Sequence, residues 1–130
     1  FFEIDDGKLA VIRQLHWGDP DYRPSEMDLG NGYVGFSADL TESSIVGYIS
    51  LAATGRYVYA LYSDKKVYES ARKSKEVLVF DWDGNPVRRY ALDADAYSIA
   101  VDEASGKLFA AIVKEDTGEW DIVCYPLNEA

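Results

Sequence analysis

His16 is the only histidine in the sequence, so any Ser-His-Asp or Cys-His relay would have to be built on it. It sits beside Trp17 in a stretch that also holds Gly18, Pro20 and Pro24, with no activated-serine signature nearby, and it reads as a loop residue. Carboxylates are the other candidate reagents. Asp81-Trp82-Asp83-Gly84 has the opening of a calcium loop but lacks the later ligands and the closing Glu, so it reads as a hairpin turn with an Asp capping the backbone. Asp93-Ala94-Asp95 reads as a tight connection between strands, and no Gly-rich phosphate loop is present. Cys124 lies among apolar strand residues, where a thiol acts as a small core group. These residues assign no catalytic group, no metal ligand set and no cofactor.

Two polar stretches are richer. Residues 63–75 carry Lys65, Lys66, Arg72, Lys73 and Lys75 with Tyr68, against only Asp64 and Glu69, a basic island in an acidic chain. Residues 15–31 carry His16, Trp17, Tyr22 and Arg23. Basic groups can pair with anions while aromatic rings stack, so His16, Trp17, Tyr22, Arg23, Lys65, Lys66, Tyr68, Arg72 and Lys73 are the candidate ligand-binding residues, for an acidic ligand, a glycan or a protein surface. Polar loops on a rigid frame are where binding tends to sit.

The frame must be β-structure. With 48% hydrophobic and 14% aromatic residues in 130, the chain can bury a core of one-domain size. Thirteen basic against 23 acidic residues leave a net charge of -10, which argues against nucleic acid or an anionic membrane as partner. One cysteine excludes an internal disulfide. No apolar run is long enough to span a membrane. The chain opens on Phe1-Phe2-Glu3-Ile4 without Met or a charged leader, as expected of a mature or excised piece whose targeting segment has been removed.

No window holds helical spacing free of glycine, whereas apolar runs alternate with turn dipeptides. Residues 1–5 and 8–14 are expected to pair around Asp5-Asp6-Gly7, 15–31 to hold no regular element, and 32–38 to form a weak strand. The centre of the chain is a meander of 45–51, 56–62, 76–81 and 87–92, with turns at Thr54-Gly55 and Asp83-Gly84-Asn85-Pro86. Strands at 96–101, 107–113 and 120–125 close the series.

A phrase repeats within this pattern. Gly7-Lys8-Leu9-Ala10-Val11, Gly55-Arg56-Tyr57-Val58-Tyr59 and Gly106-Lys107-Leu108-Phe109-Ala110 each join a turn glycine to a basic residue and an apolar strand, at spacings of 48 and 51 residues (55 − 7 and 106 − 55). Four strands in a unit of roughly 40–50 residues are the mark of a β-propeller blade. Residues 57–62 are uncharged on both faces, as in a sheet covered from both sides. A β-sandwich also hides both faces, but gives no reason for the repeat.

The series Tyr57-Val58-Tyr59-Ala60-Leu61-Tyr62-Ser63, Val79-Phe80-Asp81-Trp82-Asp83-Gly84-Asn85-Pro86-Val87 and Ile99-Ala100-Val101-Asp102-Glu103 resembles the C-terminal part of the bacterial TolB-like six-bladed propellers, from about Ser44 to Leu127. That resemblance implies a propeller fold and a periplasmic or cell-envelope location, lipid-anchored through a removed N-terminal segment, and it transfers no catalytic residue. The chain is then a partial propeller of about 2.5–3 blades. Residues 1–40 would be one blade, 44–92 a second, and 96–127 a third lacking its outer strand. An open arc leaves a blade face bare at each end, so self-association or another protein covering those faces is expected.

The function expected is a non-catalytic binding or scaffold module of the bacterial envelope. Its rival is a lactonase-like or lyase-like, metal-dependent propeller enzyme, which would need inward-facing groups such as His16, Asp93, Asp95 and Asp102 at a channel mouth. A propeller fragment without autonomous function is the third alternative.

Overall fold

The computed structural model describes residues 2–11, 14 and 22–127, and every described element is a β-strand. Ten strands run β1 (Phe2–Asp5), β2 (Lys8–Val11), β3 (Tyr22–Gly30), β4 (Tyr33–Leu40), β5 (Ile45–Ala53), β6 (Tyr57–Lys66), β7 (Ser74–Asp81), β8 (Pro86–Asp102), β9 (Lys107–Val113) and β10 (Trp120–Pro126). All pairings are antiparallel: β1 with β2, β3 with β4, and β5 to β10 in one sheet in sequence order. The chain is an all-β, partial propeller.

Where the sequence predicted no regular element over 15–31, residues Tyr22–Gly30 form β3. Two physical reasons account for it. Pro24 lacks a backbone donor, but in a two-stranded hairpin each strand has an open edge where no donor is needed. Asn31-Gly32 lies between the paired residues Gly30 and Tyr33, with φ of 55° and 80°, the left-handed pair that a two-residue hairpin turn requires. Residues 63–75 are likewise shorter as a connection than predicted, since β6 runs on to Lys66 and β7 begins at Ser74. Buried Ser74 ties them together: its hydroxyl donates to the Tyr62 carbonyl and accepts from the Glu76 N–H.

The 17-residue β8 organises the large sheet. Its first half pairs with β7 from Phe80↔Pro86 to Glu76↔Ala91, and its second half pairs with β9 from Ala96↔Ile112 to Asp102↔Lys107. Between them, at residues 92–95, the strand doubles back. Ala96 pairs with both Ser74 and Ile112 and is fully buried, a position where a larger side chain would hold the halves apart. The sequence predicts two strands here; the structure makes them one strand whose register shifts between Ala91 and Ala96.

The reversal lays β5 beside the second half of β8. The Ser50 hydroxyl accepts from the Ile99 N–H at 3.2 Å and lies 3.3 Å from the Ser98 hydroxyl. Two layers result, one of β5, β6, β7 and the first half of β8, the other of the second half of β8, β9 and β10. The core lies between them, with Tyr59, Leu61, Val77, Val79 and Leu92 facing Ile99, Leu108 and Ala110. Leu61 and Val77 are 0% exposed and Leu108 1%. Each such side chain contributes about 1.5–3 kcal/mol by leaving water.

At one end of the layers the second and third Gly-basic turns meet. Glu103 accepts from the Gly55 N–H at 3.1 Å and from Arg56 Nε at 2.7 Å. The Arg56 guanidinium therefore holds the Glu103 carboxyl below the usual carboxylate range. Trp82 Nε1 donates to the Thr54 carbonyl in the same place. The opposite end collects the 67–73 connection, the crossover at 92–95 and the β9–β10 turn.

Candidate functional site

Lys73 is the end of a polar connection, Asp95 part of a crossover and Lys114 the start of a turn, and antiparallel topology brings all three to the crossover end. They border a cleft of about 530 Å3 between the two layers. Asp93 and Lys75 share its polar wall, and Tyr97, Ile112 and Val113 make the apolar one. Its size lies in the range of about 300–1,000 Å3 usual for small-molecule sites.

Electrostatics hold the wall in place. Asp95 receives Lys65 Nζ at 3.8 Å and Lys73 Nζ at 3.6 Å, and Lys65 Nζ also donates to the Lys73 carbonyl at 3.1 Å. One carboxylate thus fastens both ends of the basic island. Asp93 accepts a hydrogen bond from the Tyr125 hydroxyl, which reaches it from β10. Burial and that contact push the Tyr125 phenol up to about 12. Lys114 pairs with Asp121 at 3.5 Å, and the Tyr97 ring is set edge-on against Trp120 at 5.0 Å between centroids.

A shallower hollow of about 460 Å3 adjoins the same end, between Glu42 of the β4–β5 turn and Lys66, Tyr68 and Glu69. A third, of about 120 Å3, lies at the other end, where Arg88 donates to the Tyr90 hydroxyl at 2.9 Å beside Arg56 and Glu103.

The sequence-predicted residues are distributed unevenly over these features. Lys65 and Lys73 meet at Asp95, and Lys66 and Tyr68 border the shallow hollow. Arg72 is exposed in the connection next to Lys73. Tyr22 and Arg23 begin β3, opposite Leu40 and Asp39, on a hairpin that among the described residues makes no strand contact to the large sheet. His16 and Trp17 lie outside the described residues. Of the carboxylates weighed first, Asp81 accepts from the Asn85 backbone N–H at 2.8 Å and side-chain amide at 3.0 Å, which lowers its pKa and makes it the backbone-capping turn residue expected. Asp102 plays the same part at the next turn, held low by the Ser105 hydroxyl at 2.6 Å. Among the described residues no three His, Cys, Asp or Glu side chains converge as metal ligands. Cys124 is exposed on β10 rather than buried.

Sequence reasoning missed Lys75 as distinct from its neighbours, and missed Tyr97, Lys114 and Glu115 altogether. The first is the second residue of β7; the others carry no motif, and only the crossover brings them within reach.

A family model described as TolB-like 6-blade propeller-like matches residues 2–104. No curated protein and no solved structure matches. Among the described residues no helix is long and apolar enough to cross a membrane.

Proposed function

The chain belongs to the TolB-like six-bladed propeller family, and we propose that it serves as a non-catalytic binding or scaffold module of the bacterial periplasm or cell envelope. In this reading the two layers are successive blades, and the ligand, acidic or a glycan, is taken up at the crossover end. The observation that carries it is the cleft between the layers, whose wall is assembled from three connections and fixed by internal ion pairs. Such a wall positions a ligand.

Incompleteness supports a second part of the proposal. Six four-stranded blades need about 24 strands, and the described residues supply ten. Apolar surface is bare on the β3–β4 hairpin, where Tyr33, Val34 and Phe36 are 57–79% exposed, and on β10, where Trp120 and Ile122 are 64–65% exposed. Among the described residues β10 also has no strand on its far side. A second copy of the chain covers these surfaces in our reading, extending the arc toward a ring.

Light scattering coupled to size exclusion tests this directly. A mass near 29 kDa, twice 14.5 kDa, is expected at micromolar concentration. A 14.5 kDa species that stays monomeric and well folded at millimolar concentration would remove the second copy from the account.

A further inference from the structure

We propose that the crossover cleft takes a monoanionic, polyhydroxylated ligand, an acidic sugar, with Lys75 meeting its carboxylate; the inference rests on reading the chain as a binding module. The cations around the cleft are unevenly engaged. Lys73 is paired with Asp95 and Lys114 with Asp121, whereas Lys75, exposed on the wall, has neither an ion pair nor a hydrogen bond within the described residues. The Lys75 ammonium is therefore open to an incoming anionic group.

The neighbouring carboxylates limit the charge of that group. Asp93, Asp95 and Glu115 border the same space, so a dianion would bring its second charge against like charges. Their oxygens accept hydrogen bonds and select hydroxyl donors. On the other side Tyr97, held by Trp120, offers a ring beside Ile112 and Val113 for the C–H face of a sugar. One carboxylate, several hydroxyls and an apolar face on one small molecule describe an acidic hexose.

The test is a calorimetric titration of the full chain with glucuronate, glucose and glucose 1-phosphate, followed in parallel by amide chemical shifts. Glucuronate is expected to bind saturably and about tenfold more tightly than the other two, to shift the amides of residues 93–97 and 114–118, and to be recovered unchanged. Lys75→Gln, at an exposed position where the fold is retained, is expected to weaken it about tenfold, the scale of one charge-assisted contact. Lys107→Gln, exposed at the opposite end of the layers opposite Asp102, leaves it unaltered. Equal binding of glucose and glucuronate, or Lys75→Gln indistinguishable from the parent, overturns the inference. Shifts at the crossover end with glucose 1-phosphate alone overturn the acidic-sugar assignment and leave the binding-module reading standing. Conversion of glucuronate to a product overturns the non-catalytic reading and keeps the ligand assignment. No shift there with any of the three overturns both.

Discussion

Residues 2–40 and residues 45–127 use the same materials, alternating apolar strands closed by glycine turns, yet they differ in what covers them. Leu9 and Val11 of β2 and Leu29, Tyr33 and Phe36 of the β3–β4 hairpin are more than half exposed, while Leu61, Val77 and Leu108 are sealed. Register is not the cause, because β3 and β4 pair over almost their whole length. The cause is a second layer. A two-stranded hairpin has two open faces and is marginal alone; the reversal at residues 92–95 folds the large sheet onto itself and gives one face a partner. In this family of folds a strand becomes core only when the next unit arrives.

Substitutions separate the two regions most sharply. Leu61→Ala removes a fully buried side chain from between the layers and is expected to cost about 2–5 kcal/mol. Phe36→Ala, at a side chain 79% exposed, is expected to change stability by no more than about 0.5 kcal/mol in the monomer. Urea unfolding of both at low concentration measures the gap, and equal losses would break the comparison. If a second copy covers the hairpin, the Phe36→Ala loss grows with protein concentration while the Leu61→Ala loss includes a constant part.

The pH response sharpens the picture within the large sheet and is smaller. Tyr125 has a raised pKa in the folded chain, so its contribution is complete below pH 10.0 and is lost as pH rises through about 12. An absorbance titration should show a late-ionising phenol that Tyr125→Phe removes; an unchanged curve would separate Tyr125 from Asp93. Glu103 behaves oppositely. Its pKa is lowered by Arg56, so its contribution is present above its usual 4.5 and is lost as pH falls below that value through the lowered one. Both partners are partly exposed, at 55% and 26%, so the effect is modest and weakens with salt. Glu103→Gln should flatten the acid limb of the melting temperature slightly, with the limbs of Asp81 and Asp102 remaining.

How much of this was legible in the sequence follows from the range of each signal. The strands from β5 to β10 were, with β8 read as two, because each combines an apolar run with a turn or polar connection at its ends, and the hairpin around Asp5-Asp6-Gly7 was for the same reason. β3 is hidden because Pro24 and the glycines break a strand only where both edges are paired, and the open edge of a two-stranded hairpin is not visible in the sequence, although Asn31-Gly32 is itself a hairpin turn. Lys65 and Lys73 stood out as a basic cluster, but their joint anchor, Asp95, is 22 residues beyond Lys73 (95 − 73). Tyr97 and Lys114 carry no local pattern at all, because their meeting depends on where β8 reverses. The apolar neighbours of Cys124 predict a core position, yet β10 is an edge strand whose odd positions face inward and whose even ones, Trp120, Ile122 and Cys124, face out.

Residue-resolved amide hydrogen exchange on the full chain, at a dilution where its mass is 14.5 kDa, tests the central claim most directly. The account predicts slow exchange in β6, β7 and β9, whose strands are paired on both edges, and fast exchange throughout β1 to β4. Protection of β3 and β4 equal to that of β6 in the monomer would contradict it, since the hairpin would then have a covering partner within the chain.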